Sequence, residues 1–150
     1  MTLSKVRYLL DVSVLVALLD EDHIHNQIVT EWFSIHDRQW AICCFTEAGF
    51  LRYATRPSTG NASMSEAMAM LNRLAQRPGY HYQSITTDWQ TLCSPFFPRL
   101  YGTKQVTDAF LLGLAVQEGL VLVTLDRGIL HLAGDYKKHV LLLAQQERLQ

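Results

Sequence analysis

Short apolar runs without regular polar alternation recur along this chain, and stretches with helical periodicity separate them. The runs cover residues 6–10, 40–44, 80–85, 120–124 and 139–143. A strand that is apolar at nearly every position is typical of a parallel sheet covered on both faces, whereas a half-exposed strand alternates. Strands that alternate with helices therefore predict an α/β fold built around a parallel sheet.

The stretches between these runs carry helix patterns and helix boundary signals. The apolar side chains at 24, 28, 32 and 35 lie on one face of a helix. Ser63 or Ser65 is a suitable N-cap for a helix that runs to about Gln76, and Thr107 is a suitable N-cap for one that ends before Gly119. The predicted helices cover residues 13–19, 24–35, 46–54, 63–76, 88–93 and 107–118.

Length and composition limit the class of protein. The 150 residues are 49% hydrophobic and 18% charged, which predicts a single domain over 1–150 with a substantial core. The net charge of −1 provides no global basic field, so any nucleic-acid site must depend on a local cluster. Three cysteines without disulfide-framework or zinc spacing predict reduced thiols in a cytoplasmic protein. Neither a signal peptide nor a membrane-spanning helix is expected.

Four acidic residues adjoin the apolar runs or open apolar helix-like stretches. Asp11 and Asp126 follow two predicted strands, and Glu47 and Asp108 each follow a threonine at a helix start. Ligands of open parallel sheets bind beyond the carboxyl ends of the strands, so all four acids can face one sheet edge. Two carboxylates about 5 Å apart repel by roughly 3 kcal/mol at an effective dielectric of about 20, and a divalent cation removes that cost. The set therefore predicts a Mg²⁺ site, in which Mn²⁺ can substitute, and metal-assisted hydrolysis.

Each of these acids also has a plain structural interpretation. Glu47 and Asp108 suit the positive end of a helix macrodipole, Asp11 suits an N-cap position, and Asp126 suits a turn. For any one acid alone the structural interpretation is the better one. Their joint placement on one sheet edge favours the site instead.

Basic residues near the acids have two open interpretations. Arg52 and Arg56 lie one turn apart on the helix that Glu47 begins, where they either contact phosphates at the rim of a cleft or are simply solvated. The same two interpretations, phosphate contact or simple solvation, are open for Lys104 near Asp108 and for Arg127 next to Asp126.

Four ordered segments of the sequence resemble the PIN-domain ribonucleases, and among them the VapC toxins of bacterial toxin–antitoxin pairs. The segments are 9–15, 46–52, 105–112 and 122–128, and together they extend over nearly the whole chain. The resemblance implies a PIN-like three-layer α/β fold. Its parallel five-stranded sheet would have the strand order 3-2-1-4-5 and helices on both faces.

The same resemblance implies Mg²⁺-dependent endonucleolytic cleavage of RNA by a water that the metal activates. Asp11 and Asp108 match the metal-binding pair. Glu47 and Asp126 complete the acidic site, either through water or by positioning the nucleophile. Ser13 matches a small polar position that hydrogen-bonds near the metal, where the family often has asparagine. The implied partners are an RNA substrate, a second copy in a homodimer, and a cognate antitoxin whose C-terminal segment covers the groove of the toxin.

Other classes of function fit less well or stay open. A haloacid-dehalogenase-like phosphatase needs a second aspartate where this chain has Ser13. A receiver domain needs an aspartate after the third strand, where this chain has Thr86-Thr87. A non-catalytic PIN scaffold and a PIN nuclease without an antitoxin remain as alternatives, and metal titration and a search for an adjacent antitoxin gene discriminate between them.

Overall fold

The computed structural model of this protein describes residues 6–35 and 38–143. The two ends of the predicted domain and residues 36–37 lie outside the described residues. Five strands form one parallel sheet in the order β3-β2-β1-β4-β5, which confirms the predicted fold and strand order. The strands are β1 (Arg7–Leu10), β2 (Gln39–Ile42), β3 (Tyr80–Tyr82), β4 (Val121–Thr124) and β5 (Val140–Leu142).

Helices cover both faces of the sheet. Among the described residues, no helix is long and apolar enough to cross a bilayer. Two 3₁₀ segments, Ser94–Arg99 and Gly134–His139, follow α5 and α7. The helices are α1 (Val12–Leu19), α2 (Asn26–Phe33), α3 (Cys44–Thr55), α4 (Met64–Leu74), α5 (Trp89–Cys93), α6 (Gln105–Glu118) and α7 (Arg127–Ala133).

The central strands are apolar at successive positions because both of their faces are buried. Leu9 packs with Leu122 in a core cluster that α5, α6 and α7 complete. Leu10, the next residue, points to the opposite face and packs with Ile42 and Val123 beneath α1 to α4. Neighbouring residues of the central strands therefore belong to two separate cores, which confirms the interpretation of their apolar runs. For the predicted strand over 80–85 the interpretation is wrong, because β3 lies at the edge of the sheet and its His81 and Tyr82 are exposed.

The strand order reverses direction at β1. The chain leaves β1 to form β2 and β3 on one side and returns to form β4 and β5 on the other side. Leu10 pairs with Val123, so the carboxyl ends of β1 and β4 lie side by side. This topological switch point is where open α/β sheets bind ligands, and Asp11 follows directly after it.

Two predicted helix starts are wrong by two residues. Helix α6 begins at Gln105, with Lys104 at the N-cap position, so Thr107 lies inside the first turn and does not cap the helix. The backbone turn that precedes Gln105 leads straight into the helix, and this turn sets the start instead of a side-chain cap. Helix α3 begins at Cys44, and the hydroxyl of Thr46 donates at 2.9 Å to the carbonyl of the last residue of β1.

The predicted helix over 24–35 is shorter at both ends. It begins at Asn26, whose side-chain amide donates at 2.8 Å to the carbonyl of Ala17 and ties the start of α2 to the end of α1. Ile24 therefore lies in the preceding turn with 80% of its surface exposed, and Ile35 is also exposed. The apolar period at these two positions does not reflect burial.

Two other boundary predictions are confirmed. Ser63 caps α4, and its side chain and that of Glu66 form a reciprocal capping box. Gly119 ends α6 with a φ of 67°, a left-handed conformation that favours glycine.

Candidate active site at the carboxyl edge of the sheet

Asp11 is the most firmly held of the four predicted acids. It is only 4% exposed, and it occupies the N-cap position of α1 directly after β1. Its Oδ1 atom accepts the Val14 backbone N–H at 2.9 Å and the Ser13 hydroxyl at 2.6 Å, and its Oδ2 atom accepts the Thr124 hydroxyl at 2.5 Å. The N-cap role and a site role are therefore compatible, because the cap uses only one of these three bonds.

Thr124, the fully buried last residue of β4, joins Asp11 to Asp126. Its hydroxyl donates to Asp11 and accepts the backbone N–H of Asp126 at 3.0 Å. Ser13 forms a parallel link, because its hydroxyl donates to Asp11 and accepts the Leu125 N–H at 3.3 Å. Thr124 is not among the site residues predicted from the sequence. A hydroxyl residue that ends an apolar strand two positions before an acid was the available signal.

Asp126 combines the two interpretations that the sequence left open. It is the exposed N-cap of α7, and its Oδ1 atom accepts the Gly128 N–H at 2.8 Å. The negative charge of Asp126 nevertheless acts on the two more buried aspartates, since it contributes to raising the pKa of both Asp11 and Asp108. The turn and the acidic site therefore share this residue.

Asp108 is half-buried in the first turn of α6. Burial is the main cause that raises its pKa to about 6, and the charges of Asp11 and Asp126 raise it further. Burial also raises the pKa of Asp11, against the hydrogen bonds that lower it. Within the part of the chain that the structure describes, no hydrogen bond stabilises the Asp108 carboxylate. The structure therefore brings three aspartates into electrostatic contact.

Glu47 lies in the first turn of α3, as predicted, but its charge acts on the β3 side of the site. Burial raises the pKa of Tyr82 and Tyr80, and the negative charge of Glu47 is the next cause for both. The charge of Glu47 is not among the causes that shift the pKa of Asp11 or Asp108. Glu47 is therefore electrostatically separate from the aspartate group, which consists of Asp11, Asp108 and Asp126.

A groove runs from Asp108 between α1 and α3. It has a volume of about 350 Å³, and both Arg52 and Arg56 line it together with Asp108. Gly49 forms part of its floor, where an added Cβ atom would lie 2.5 Å from a methyl carbon of Val12. The glycine allows α3 to approach α1 closely, and the two arginines line the same groove as Asp108.

The donor chemistry of the aspartate group fits a hard divalent cation. A carboxylate offers about four lone-pair sites, and three donors to Asp11 leave one of these on Oδ2. Within residues 6–35 and 38–143, no three His, Cys, Asp or Glu side chains are already gathered at metal-binding distance. Mg²⁺ takes one or two direct carboxylates and keeps several waters, and the open lone pair on Asp11 would offer it one such ligand. A cation would also remove the repulsion that raises the pKa of Asp108.

Known proteins share this fold and sequence pattern. The chain matches the PIN domain family over residues 8–135. It is 40% identical over 131 residues to Ribonuclease VapC38 of Mycobacterium tuberculosis, an alignment that covers 87% of this chain and 92% of that relative. It is 36% identical over 139 residues to Ribonuclease VapC44 of the same species, with 90% and 98% covered.

A solved structure supports the fold independently. The crystal structure of VapBC2 from Rickettsia felis, bound to a DNA fragment from the VapBC2 promoter, contains a chain that superposes on this protein with a TM-score of 0.59. The match covers 92% of this chain and 98% of that chain, at 12% identity. This protein therefore belongs to the PIN domain family, and its sequence relatives place it in the VapC ribonuclease group of that family.

Proposed function

We propose that this protein is a Mg²⁺-dependent endoribonuclease and the toxin of a toxin–antitoxin pair. One observation carries the metal-dependent part of this proposal. Three aspartates from the starts of three helices lie at the switch point of the sheet, where burial and the charges of Asp11 and Asp126 raise the pKa of Asp108, and the donors around Asp11 leave one of its lone pairs open. The ribonuclease names of the relatives support RNA as the substrate.

In this proposal, Asp11 and Asp108 hold the cation directly. Asp126 and Glu47 act through water or orient the nucleophile. Mg²⁺ is the expected ion, with Mn²⁺ as a substitute, and either one would lower the pKa of a coordinated water and stabilise charge on a phosphoryl oxygen. Asp108 would hold the cation as the carboxylate, so cation binding would be weaker below a pH of about 6, where the protein without metal keeps this group protonated.

The surrounding residues of the chain position these groups. Ser13 and Thr124 fix the rotamer of Asp11 before any ligand arrives, so little reorganisation is needed on binding. Arg52 and Arg56, in the groove that begins at Asp108, contact the phosphates of the RNA strand. These contacts hold the strand in register but read no sequence.

The proposed partners follow from the VapC group. A cognate antitoxin covers the toxin's groove in a hetero-oligomer, and two copies of this chain form a homodimer in the cytoplasm. The Rickettsia felis neighbour is itself a VapBC2 complex, and this supports a protein partner for the present chain. A small gene directly upstream that encodes a DNA-binding antitoxin would distinguish this function from that of a PIN nuclease without an antitoxin.

The decisive experiment compares Asp108→Asn with Asp135→Asn, a control at an exposed aspartate in the 3₁₀ segment after α7. We expect Asp108→Asn to fold normally by circular dichroism but to lose Mg²⁺-dependent RNA cleavage by at least about 100-fold, together with growth arrest on expression. The control should keep both activities. Full activity of Asp108→Asn would show that the assignment is wrong.

Metal titration separates the catalytic proposal from a non-catalytic scaffold. Calorimetry of the intact protein should detect Mg²⁺ or Mn²⁺ binding that disappears in Asp11→Asn. A scaffold would show no such binding. The substrate is then identified by mapping RNA 5′ ends after induced expression of the intact protein and of Asp11→Asn.

A further inference from the structure

Tyr101 is a large exposed aromatic side chain in the loop before α6. It is 79% exposed, yet its ring stacks on the ring of His131, with 6.3 Å between the centroids and 28° between the planes. His131 is also exposed, on the last turn of α7. Neither side chain belongs to the two cores of the sheet. Core packing therefore does not explain this pair.

Tyr101 precedes α6, which carries Asp108 in its first turn, and His131 lies on α7, which Asp126 caps. The backbone N–H of Tyr101 donates to the side-chain oxygen of Gln105 at 2.8 Å, which ties the tyrosine to the first residue of α6. Asp108 lies in the first turn of that helix. His131 is one turn, or about 6 Å of helix rise, beyond Arg127 at the start of α7. The stacked pair therefore bridges the two elements that carry Asp108 and Asp126.

The charge near the pair suits a polyanion. Lys104 is exposed between Tyr101 and α6, and Arg127 is exposed at the start of α7, next to Asp126. Unstacked RNA bases bind to exposed aromatic faces while basic side chains hold the adjacent phosphates. A flat, solvent-facing ring, with one exposed cation three residues later in the chain and another at the start of the helix that carries its stacking partner, fits that ligand better than an aliphatic peptide, which needs a concave apolar surface.

We propose that Tyr101 and His131 form a stacking platform for a single-stranded RNA base next to the scissile phosphate. This inference rests on the proposed ribonuclease function and adds a substrate-binding subsite to it. The platform positions the strand and does not touch the reacting atoms. Its loss should therefore weaken RNA binding and leave the chemistry of a minimal phosphodiester unchanged.

The test uses two substrates that separate binding from chemistry. Binding of a fluorescently labelled single-stranded RNA is measured by anisotropy in EDTA, where no metal-dependent cleavage occurs. The rate of hydrolysis of bis(p-nitrophenyl) phosphate with Mn²⁺ measures cleavage of a phosphodiester that carries no nucleobase. We expect Tyr101→Ala to raise the Kd for RNA by about 5- to 100-fold, Tyr101→Phe to stay within about twofold, and His131→Ala to raise the Kd by a smaller factor. Ile24→Ala, at another exposed position, should change nothing.

The two arms make the failures of the two proposals distinguishable. If the intact protein hydrolyses neither RNA nor the small phosphodiester, the nuclease proposal fails, and the binding arm still tests the platform. An unchanged Kd in Tyr101→Ala would overturn the platform. A fall in sedimentation coefficient of Tyr101→Ala without RNA would also overturn it, because the ring would then belong to a contact between two copies of the chain.

Discussion

Asp11 and Asp108 differ in how the protein holds them, although both belong to the same candidate site. Asp11 is buried and accepts three hydrogen bonds from Val14, Ser13 and Thr124. Asp108 is half-buried on the first turn of α6 and has no such support among the described residues, and its pKa rises to about 6. One carboxylate is fixed by the fold, and the other carries a charge that the protein alone does not compensate.

The difference indicates which part of the site is complete before a ligand binds. The Asp11 side is made by two adjacent strands, β1 and β4, whose pairing leaves little freedom. The Asp108 side lies on a groove lined by arginines, where a cation and a phosphate would supply the missing charge balance. The site therefore combines a rigid half with a half that depends on its ligands for stability.

Among the variants that would reduce the difference between Asp11 and Asp108, a substitution at Thr124 should have the largest effect. In Thr124→Val, Asp11 loses the buried donor to Oδ2, and Asp126 loses the acceptor for its partly buried N–H. We expect the free energy of unfolding in urea to fall by about 1–3 kcal/mol, and RNA cleavage to fall by about 10- to 100-fold. Thr124→Ser keeps the hydroxyl and should retain most of the activity. A fully stable and active valine variant would mean that the fold does not fix Asp11 through this residue.

Cation binding should stabilise the protein through the Asp108 side. At a free Mg²⁺ concentration of about ten times the Kd, we expect the free energy of unfolding to rise by about 1.4 kcal/mol. The gain should be largely absent in Asp108→Asn and present in Asp135→Asn. Urea unfolding at matched ionic strength measures it, and a gain that is equal in all three proteins would indicate non-specific ion binding.

The pH dependence of stability without metal should separate the two carboxylates further. Asp108 has an ordinary pKa of 3.8 when unfolded and a pKa of about 6 in the fold, so the folded state binds more protons between these values. The free energy of unfolding therefore falls as the pH rises from about 4 to about 6. Asp108→Asn should flatten this part of the profile. The raised pKa of Asp11 acts in the same direction and should leave a residual slope.

The smallest effect is expected at the arginines of the groove. Arg52→Ala should weaken RNA binding a few-fold and reduce the slope of log affinity against log salt by about 1, because one phosphate contact is lost. Arg7→Ala, at the amino end of β1 on the opposite edge of the sheet, is the matched control. An unchanged salt slope in Arg52→Ala would show that this arginine is only solvated.

The fold was largely predictable because the apolar runs report burial on both faces of a sheet. Leu9 and Leu10 are adjacent in the chain and belong to opposite cores, as a continuous run requires. Helix starts were less predictable where a backbone turn or a contact with another helix decides them. Asn26 begins α2 by bonding to the end of α1, and no local pattern at Ile24 reveals this.

The placement of the acids at one sheet edge was predictable from the sequence, but their individual surroundings were not. Glu47 occupies the predicted helix turn, yet the structure directs its charge towards Tyr80 and Tyr82 of β3. Tyr82 comes beside α3 only because β3 pairs with β2 in a particular register. Side-chain neighbours across strands depend on that register, which the apolar pattern does not encode residue by residue.

The sequence by itself determined a parallel α/β sheet with acidic residues at its carboxyl edge, because burial and chain direction follow from local patterns. Only the tertiary structure decided how the acids differ. Thr124 reaches Asp11 across 113 positions of sequence, and it does so because β4 lies directly beside β1. That pairing holds Asp11 rigidly and leaves Asp108 without a similar partner, and this unequal support is a property of packing rather than of any segment of the chain.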